Sequence, residues 1–357
     1  MTATPEVNII TKVRDFITGY VSLPDESYAD ALALYVLHTH AFPAARTTPY
    51  IYITSQGPGS GKTRVMEVLA EVCRSAQLFS GMTGPTMFHM IEAIKPTLFL
   101  DEVDTIYSGS KNEELRGVLN GGYKHNGKIP RVDPKSDLGF REFSTFCPKV
   151  LAGIDNGQVP NTVLDRSIVI RLQKAKPGAV QPFYSEDVED LAADLMDEIA
   201  TWYAANLDTL TDRAKRPEPI EGLSDRQNDI VRPLLTIAAT VPGWVKRARV
   251  SLTAVFSDIG TPLTPQADAL NTVREYMVAH DLDRISSAKV AELVGQNAKQ
   301  VGAWFAAFDV TPVTLRGFDS RPAARVEGQS DKVKAYLRTG GMEAAWDRFL
   351  PALPVNL

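Results

Sequence analysis

Residues 56–63 of this chain read QGPGSGKT, and they are the strongest local signal of its fold class. It follows the β-rich run YIYIT at residues 50–54 and opens a helical pattern of apolar residues over 63–76. A glycine-rich turn between a strand and a helix is the context that a phosphate-binding loop requires, because glycines let successive backbone N–H groups turn toward an anion. The alternative is an ordinary glycine-rich turn with a chance Gly-Lys-Thr. The sequence predicts a phosphate loop.

Each residue of this loop has an expected role. Lys62 can reach the β- and γ-phosphates of a nucleotide, and the Thr63 hydroxyl can bind Mg²⁺. The usual pattern has a glycine where this chain has Gln56, so the first turn of the loop can shift by one residue. The residues expected to contact the nucleotide are Gly57, Gly59, Ser60, Gly61, Lys62, Thr63 and Arg64.

An acidic pair follows about 40 residues later, where the run LFLDE at residues 98–102 reads as a buried strand ending in two carboxylates. Ligands of parallel sheets bind beyond the carboxyl ends of the strands. We expect Asp101 to bind Mg²⁺, through water, and Glu102 to act as the general base for the attacking water. Asp104 is either a supporting residue of this cluster or a surface residue.

The organisation of the chain changes along its length. Strand-like and helix-like patterns alternate over residues 48–175, which predicts an α/β domain with a mainly parallel sheet. Helical patterns alone follow, and a Thr/Pro-rich stretch at 260–265 is typical of a linker. The expected domains are a helical segment (1–45), the α/β core (46–176), a helical domain (177–262) and a C-terminal unit (263–357).

Composition excludes several classes of protein. The chain has 357 residues, a formal net charge of −5 and only two cysteines. This charge excludes a protein that coats nucleic acid by bulk charge, although a local basic path is still compatible with it. Two cysteines exclude a disulfide framework and a cysteine-rich zinc site, and fit a reducing compartment. No signal peptide or membrane-spanning run is expected, so we predict no membrane partner.

Two further positions fit a ring-forming ATPase, which often takes a positive charge from a neighbouring subunit. Arg166 precedes the last predicted strand, at the rim of the domain, and is our candidate for that trans-acting arginine. The alternative is a surface ion pair between Asp165 and Arg166. In the helical domain, Arg226 at a helix start could reach the γ-phosphate in cis, or could simply be solvated.

The end of the strand at 149–154 carries Asp155 and Asn156, where a polar side chain could orient the attacking water. Their register is ambiguous. We favour Asn156, because an amide can donate a hydrogen bond to phosphate and a carboxylate cannot.

A basic segment, GYKHNGKIPRV, occupies residues 122–132. Asn-Gly is a strong tight-turn signal, so we predict a hairpin over 123–131 that projects toward the pore of a ring. Cations beside an aromatic ring suit nucleic acid, although an exposed charged loop is the plainer interpretation. The residues expected to contact DNA are Tyr123, Lys124, His125, Lys128 and Arg131.

The C-terminal unit has helix–turn–helix form over residues 286–305. Segments 310–315 and 325–326 could pair as a wing. Such a module can equally contact protein, but a recognition helix here would show DNA three polar residues, Asn297, Lys299 and Gln300.

Several stretches together resemble a family of phage, plasmid and prophage proteins with a P-loop ATPase domain of unknown function, described as helicases or primase-associated ATPases. The stretches are LYVLHTH (34–40), TTPY (47–50), GKTR (61–64), PTLFLDEVDT (96–105), LRGVLNGG (115–122), PKVLAGI (148–154), DRSI (165–168) and RPLL (232–235). The basic hairpin is more weakly similar to the pore hairpin of superfamily-three viral helicases. Only about 45 residues precede the first predicted strand, too few for a primase domain such as relatives carry.

The resemblance implies an AAA+-like ATPase with a helical lid and a C-terminal winged helix, in the cytoplasm of a bacterial host. It implies ATP and Mg²⁺ as ligands, a hexameric ring, DNA in its pore and a primase or other replication protein as a partner. Three hypotheses stay open: a helicase or translocase; a loader or switch that remodels a protein partner without unwinding; and a DNA-binding regulator with a structural nucleotide.

Overall fold

The computed structural model describes residues 8–55, 59–79, 81, 83–107, 113–154, 159–176, 178–212, 215–257, 265–316 and 332–350. The chain divides into two compact units, Met1–Ile259 and Gly260–Leu357. The domain edge expected near residue 262 lies beside this division.

Unit 1 contains two sheets. In the described residues, its strands are β1 (Tyr50–Ser55), β2 (Ala76–Phe79), β3 (Thr97–Leu100), β4 (Lys128–Val132), β5 (Phe140–Ser144), β6 (Lys149–Ile154) and β7 (Ser167–Arg171). Five of them form a parallel sheet in the order β2-β3-β6-β1-β7, and β4 pairs with β5 alone. Every residue of β1 and β3 is buried, as expected for parallel strands covered on both faces. The predicted α/β class with a mainly parallel sheet is confirmed.

Helices surround this sheet. They are α1 (Ile9–Tyr20), α2 (Glu26–Ala41), α3 (Lys62–Val72), α4 (Gly84–Ile94), α5 (Val103–Tyr107), α6 (Glu113–Gly121), α7 (Asn161–Leu164), α8 (Ser185–Thr211), α9 (Asp225–Ala238) and α10 (Trp244–Ser257), with a 3-10 turn at Phe42–Ala44. Among the described residues of the whole chain, no helix is both long and apolar enough to cross a membrane.

A single hydrophobic core runs through unit 1, from Ile9 to Phe256. Helix α2 is its centre: the helix is apolar around its circumference, and α1, α8, α9 and α10 all pack against it. The helical segment that follows the sheet therefore shares its core with the sheet, instead of burying a separate one.

The hairpin differs from the predicted one. Strand β4 pairs with β5 from Lys128 opposite Ser144 to Val132 opposite Phe140, and residues 133–139 connect the two. The Asn126–Gly127 turn lies earlier, between α6 and β4, where the Gly127 N–H donates to the Lys124 carbonyl at 2.9 Å. This turn folds back on the end of α6 so closely that a Cβ at position 127 would collide with the backbone.

Unit 2 is a small mixed unit. Its described elements are α11 (Pro265–Ala279), β8 (Arg284–Ser286), α12 (Ser287–Val294), α13 (Ala298–Ala306), β9 (Val313–Arg316), β10 (Lys332–Leu337), a π-helical turn (Arg338–Met342) and α14 (Glu343–Phe349). The strands form an antiparallel sheet in the order β8-β10-β9. Gly295, at φ +68°, ends α12 in the left-handed conformation and lets α13 begin three residues later. Residues 325–326, expected in the wing, lie outside the described residues.

Candidate functional site

An open cleft of about 730 Å³ lies at the carboxyl ends of the parallel strands of unit 1. Residues 59–63 enter it after β1, residues 101–105 enter it after β3, and residues 153–154 enter it at the end of β6. Because β6 lies between β1 and β3, the three strand ends meet at one edge of the sheet. The loop and the acidic pair therefore line the same cleft.

The described part of the glycine-rich loop turns sharply into α3. Gly59 and Gly61 adopt φ values of +74° and +93°, which other residues rarely adopt, and Gly61 caps the amino end of α3. The Ser60 hydroxyl is buried and has no hydrogen-bond partner among the described residues. Helix N-termini with open N–H groups attract anions. Gln56 and Gly57, where the path of the first turn was in question, lie outside the described residues.

Lys62 and Thr63 occupy the first turn of α3. The Lys62 ammonium donates a hydrogen bond of 2.8 Å to the hydroxyl of Ser55, the last residue of β1, while Thr63 is exposed in the cleft. Ser55 is not among the predicted site residues. The only sequence feature that points to it is its position at the end of the strand that precedes the loop. The contact holds a positive charge at the amino end of the helix.

The acidic pair stands on a sharp turn. The Asp101 carboxylate accepts the Glu102 N–H at 2.8 Å, and Glu102 has a φ of +54°. A left-handed conformation costs about 1–2 kcal/mol for a residue with a side chain. Thr105 stabilises it, because its N–H and hydroxyl both donate to the Glu102 carbonyl, at 2.9 and 2.8 Å. Such strained residues cluster at functional sites, and here the turn leaves Glu102 exposed in the cleft.

Asp104 supports the end of β6. Its carboxylate accepts the Ile154 N–H at 3.3 Å. A Cβ at Gly153 would lie 2.7 Å from that carboxylate oxygen, so only glycine allows this close approach. Asp155 and Asn156, the expected water-orienting residues, follow directly and lie outside the described residues.

Arg64 does not line the cleft. Its guanidinium pairs with Glu67 at 2.9 Å and lies 4.4 Å from the centre of the Phe183 ring. The Phe183 contact joins α3 to the segment leading to α8, and the expected contact of Arg64 with a nucleotide stays a prediction.

Arg166 and Arg226 meet at the opposite end of the sheet. Both guanidinium groups lie within 5 Å of the centre of the buried Tyr123 ring, at 4.8 and 4.9 Å, and Arg226 also donates to the Tyr123 hydroxyl. The Arg166 carbonyl accepts the N–H of Tyr50, the first residue of β1. A six-residue strand is about 17 Å long. The expected cis contact of Arg226 with the phosphate loop of its own chain is therefore corrected: Arg226 lies at the amino ends of the strands.

The residues expected to contact DNA are scattered. Tyr123 is buried between the two arginines, so its ring is not presented to solvent. Lys128 pairs with Glu142 at 2.6 Å, and Arg131 pairs with Glu114 at 3.0 Å. Lys124 is exposed and forms no ion pair with any residue that the structure describes. The His125 ring nitrogen contacts Arg46 at 2.6 Å.

In unit 2, the Asn297 side chain is used to cap α13, since its oxygen accepts the Gln300 N–H at 2.9 Å. Lys299 and Gln300 are exposed at the start of that helix. Within the described ranges, no group of three or more His, Cys, Asp or Glu side chains is arranged to hold a metal.

No curated protein matches the chain significantly. Among solved structures, "The A form apo structure of NrS-1 C terminal region-CTR" has a TM-score of 0.40 and 12% sequence identity to this chain, and covers 94% of this chain and 76% of its own. A second structure of that region, "CTR(305-718)", gives the same values. A family model with the description "Protein of unknown function (DUF3631)" matches residues 171–349, about half of the sequence, and the chain belongs to this family.

Proposed function

We propose that this protein is an ATPase that couples hydrolysis in the cleft of unit 1 to movement on DNA, as a helicase or translocase of phage or plasmid replication. One observation carries the proposal: Lys62, Thr63, Asp101 and Glu102 line a single cleft at the carboxyl ends of parallel strands. Phosphoryl transfer to water requires these groups: a cation and a hydroxyl at a helix N-terminus, with two carboxylates facing them.

The residues present fit a nucleotide with its Mg²⁺. The Ser60 hydroxyl, which has no partner among the described residues, and the amino end of α3 offer donors to phosphate, and the Lys62 ammonium adds charge. Oxygen atoms of Thr63 and Asp101 are suitable ligands for Mg²⁺. When bound, the ion would neutralise charge on the phosphates. Glu102 would take a proton from the attacking water.

A ring arrangement accounts for Arg166. Arg166 lies at the amino end of β1, and the loop of its own chain follows the other end of this strand of about 17 Å, which favours action on a neighbouring subunit. Its Nε atom is buried without a partner among the described residues. In a head-to-tail ring, each subunit turns one face to the opposite face of its neighbour. Arginines at the amino ends of the strands and carboxylates at the carboxyl ends are complementary in such a contact. We propose a hexamer with Arg166 acting in trans.

We further propose an AAA+-like architecture for this chain. An AAA+-like core is supported by the loop and acidic strand, and a lid by the helices α8 to α10. A C-terminal winged helix is supported by α12 and α13 beside the β8-β10-β9 sheet.

ATP turnover measured alone and with single-stranded, forked and duplex DNA tests the proposal. We expect DNA to stimulate turnover, and Glu102→Gln to lower turnover by about 10²-fold or more while ATP stays bound. Glu221→Gln, which removes an exposed carboxylate outside the cleft, is the matched control. If DNA leaves ATP turnover unchanged and no DNA binding is detected at low salt, the proposed helicase or translocase function is contradicted.

A loader or switch acting on a primase or another replication protein is the second candidate. The net charge of −5 and the ion pairs of Lys128 and Arg131 favour it. It predicts turnover that responds to a protein partner and not to DNA. A DNA-binding regulator with a structural nucleotide predicts binding without turnover, and an acid in the position of Glu102 argues against it.

A further inference from the structure

A second cavity, of about 110 Å³, lies in unit 1 away from the cleft. Its walls are the segment before β1, helix α9 and residues near the end of α8. Three arginines line it, Arg46, Arg216 and Arg232, against one carboxylate, Asp229. Ligand pockets for drug-sized molecules are about 300 Å³ or more, so this cavity suits a small anionic group.

Two of the three arginines, Arg46 and Arg232, carry the charge on which this site depends. Asp229 and Arg232 are three residues apart on α9, where side chains face the same way. Even so, the Arg232 side chain forms no ion pair or hydrogen bond with any described residue. The Arg46 guanidinium contacts a ring nitrogen of His125, and that nitrogen must be unprotonated to accept a hydrogen bond. Among the residues that the structure describes, neither Arg46 nor Arg232 has a carboxylate partner.

The cavity is held by a rigid frame. The Thr47 hydroxyl donates to the Asp229 carbonyl at 2.6 Å, which ties the segment before β1 to α9. The buried His38 forms its floor and contacts the Thr48 hydroxyl at 2.9 Å. Burial lowers the pKa of His38 to about 3, so its ring is neutral at pH 7. The charge of the cavity comes from its arginines.

We propose that this cavity binds a phosphate group through Arg46, Arg216 and Arg232. The planar guanidinium fork matches phosphate oxygens in geometry and charge. Aliphatic side chains of Leu210, Pro233 and Ile237 complete the lining of the cavity. The site is distinct from the phosphate loop, because Arg46 and Thr47 precede β1 and the loop follows it. It does not depend on the proposed ATPase.

The phosphate can come from a small molecule or from a nucleic-acid backbone. Lys124 forms a β-bridge with Thr47, and the His125 N–H donates to the Arg46 carbonyl at 3.0 Å. The exposed Lys124 therefore lies next to the rim of the cavity, where an adjoining phosphate of a nucleic-acid strand would find a second cation.

The test uses the full chain with Lys62→Ala, which weakens the phosphate loop. Isothermal titration with inorganic phosphate compares this background with the same background carrying Arg46→Gln and Arg232→Gln. We expect phosphate to bind the background, and the two added substitutions to weaken it about 10-fold or more. The matched control adds Lys246→Gln, which removes an exposed lysine elsewhere in unit 1, and should leave binding unchanged.

Fluorescence anisotropy of a labelled oligothymidylate at low salt identifies the source. A parallel loss of oligonucleotide binding assigns the site to a nucleic-acid backbone; unchanged oligonucleotide binding with lost phosphate binding assigns it to a small phosphate compound. Arg46→Lys with Arg232→Lys keeps the charges but removes the guanidinium fork, so it should weaken phosphate binding less than the glutamine pair does, which controls for folding. Phosphate binding that the glutamine pair leaves intact, or no binding to the Lys62→Ala chain at all, would overturn the proposal.

Discussion

The two ends of the parallel sheet are built differently. At the carboxyl ends, Thr63 and Glu102 are exposed in an open cleft. At the amino ends, Lys149 is buried and held by partners: it has no exposed surface, and its ammonium donates to the carbonyls of Gly122, Thr145 and Cys147 at 3.3, 3.1 and 2.9 Å. We therefore expect substitutions at the carboxyl ends to change ATP turnover, and those at the amino ends to change the free energy of unfolding.

Arg166 is the expected exception at the amino ends, because we propose that it acts on the nucleotide of a neighbouring subunit. Arg166→Ala should lower ATP turnover about 10³-fold or more, as loss of a trans-acting arginine does. Lys62→Ala should also be inactive by itself. In an equal mixture of the two variants, about a quarter of the sites of a randomly assembled ring pair an intact Lys62 with an intact neighbouring Arg166.

Turnover measured across mixing ratios should therefore recover in part. Sedimentation of the same mixtures shows whether rings form. If mixed rings assemble and no ratio restores turnover, Arg166 does not act in trans.

Lys149, at the amino ends, should contribute to the free energy of unfolding. Lys149→Met removes the donor from three buried carbonyl oxygens, and unsatisfied buried groups cost about 1–3 kcal/mol each. We expect the free energy of unfolding, measured with urea, to fall by about 3 kcal/mol or more. Lys246→Met, at an exposed position of α10, is the matched control and should change stability little. An equal effect of both substitutions would show that the buried ammonium is not a structural centre.

His38 should make the amino ends sensitive to acid. Burial lowers its folded pKa from 6.5 to about 3, so below pH 6.5 the unfolded chain takes up a proton that the folded chain does not. The stability is complete above pH 6.5 and is lost as the pH falls toward 3, by up to about 1.4 kcal/mol per pH unit. Burial lowers the pKa of His40 as well, with the same sign.

Urea unfolding at several pH values, compared between the wild type and His38→Gln, measures this slope. The variant should show a shallower loss between pH 6.5 and 3, and His280→Gln, at an exposed histidine, should keep the wild-type slope. Identical slopes for all three proteins would contradict a neutral, buried His38.

The carboxyl ends were largely predictable, because their residues come in short local motifs. The loop and the acidic pair each follow a run of buried β-forming residues, and such runs are typical of parallel strands. Strand β2 was not predicted: residues 76–79 sit at the sheet edge, none is fully buried, and they continue the apolar pattern of the preceding helix.

The amino ends could not be predicted, since their contacts join distant segments. Tyr123 and Arg226 are 103 residues apart in the chain, and no local pattern relates them. The hairpin fails for the same reason. Asn126-Gly127 does form a turn, but the strand that pairs with β4 begins at Phe140, and Phe143 packs on Phe88 of α4 at a ring distance of 4.9 Å. Tertiary packing, not the turn signal, selects the partner strand.

The most direct test of the account is ATP hydrolysis by the purified full chain with Mg²⁺, compared with Lys62→Ala and with Lys95→Ala, which removes an exposed lysine outside the cleft. We expect the wild type and Lys95→Ala to release phosphate at equal rates. We expect a loss of about 100-fold or more in Lys62→Ala, which should still fold. The ATPase proposal would be contradicted if the wild type hydrolysed no ATP, either alone or with single-stranded, forked or duplex DNA. An undiminished rate in Lys62→Ala would contradict it as well.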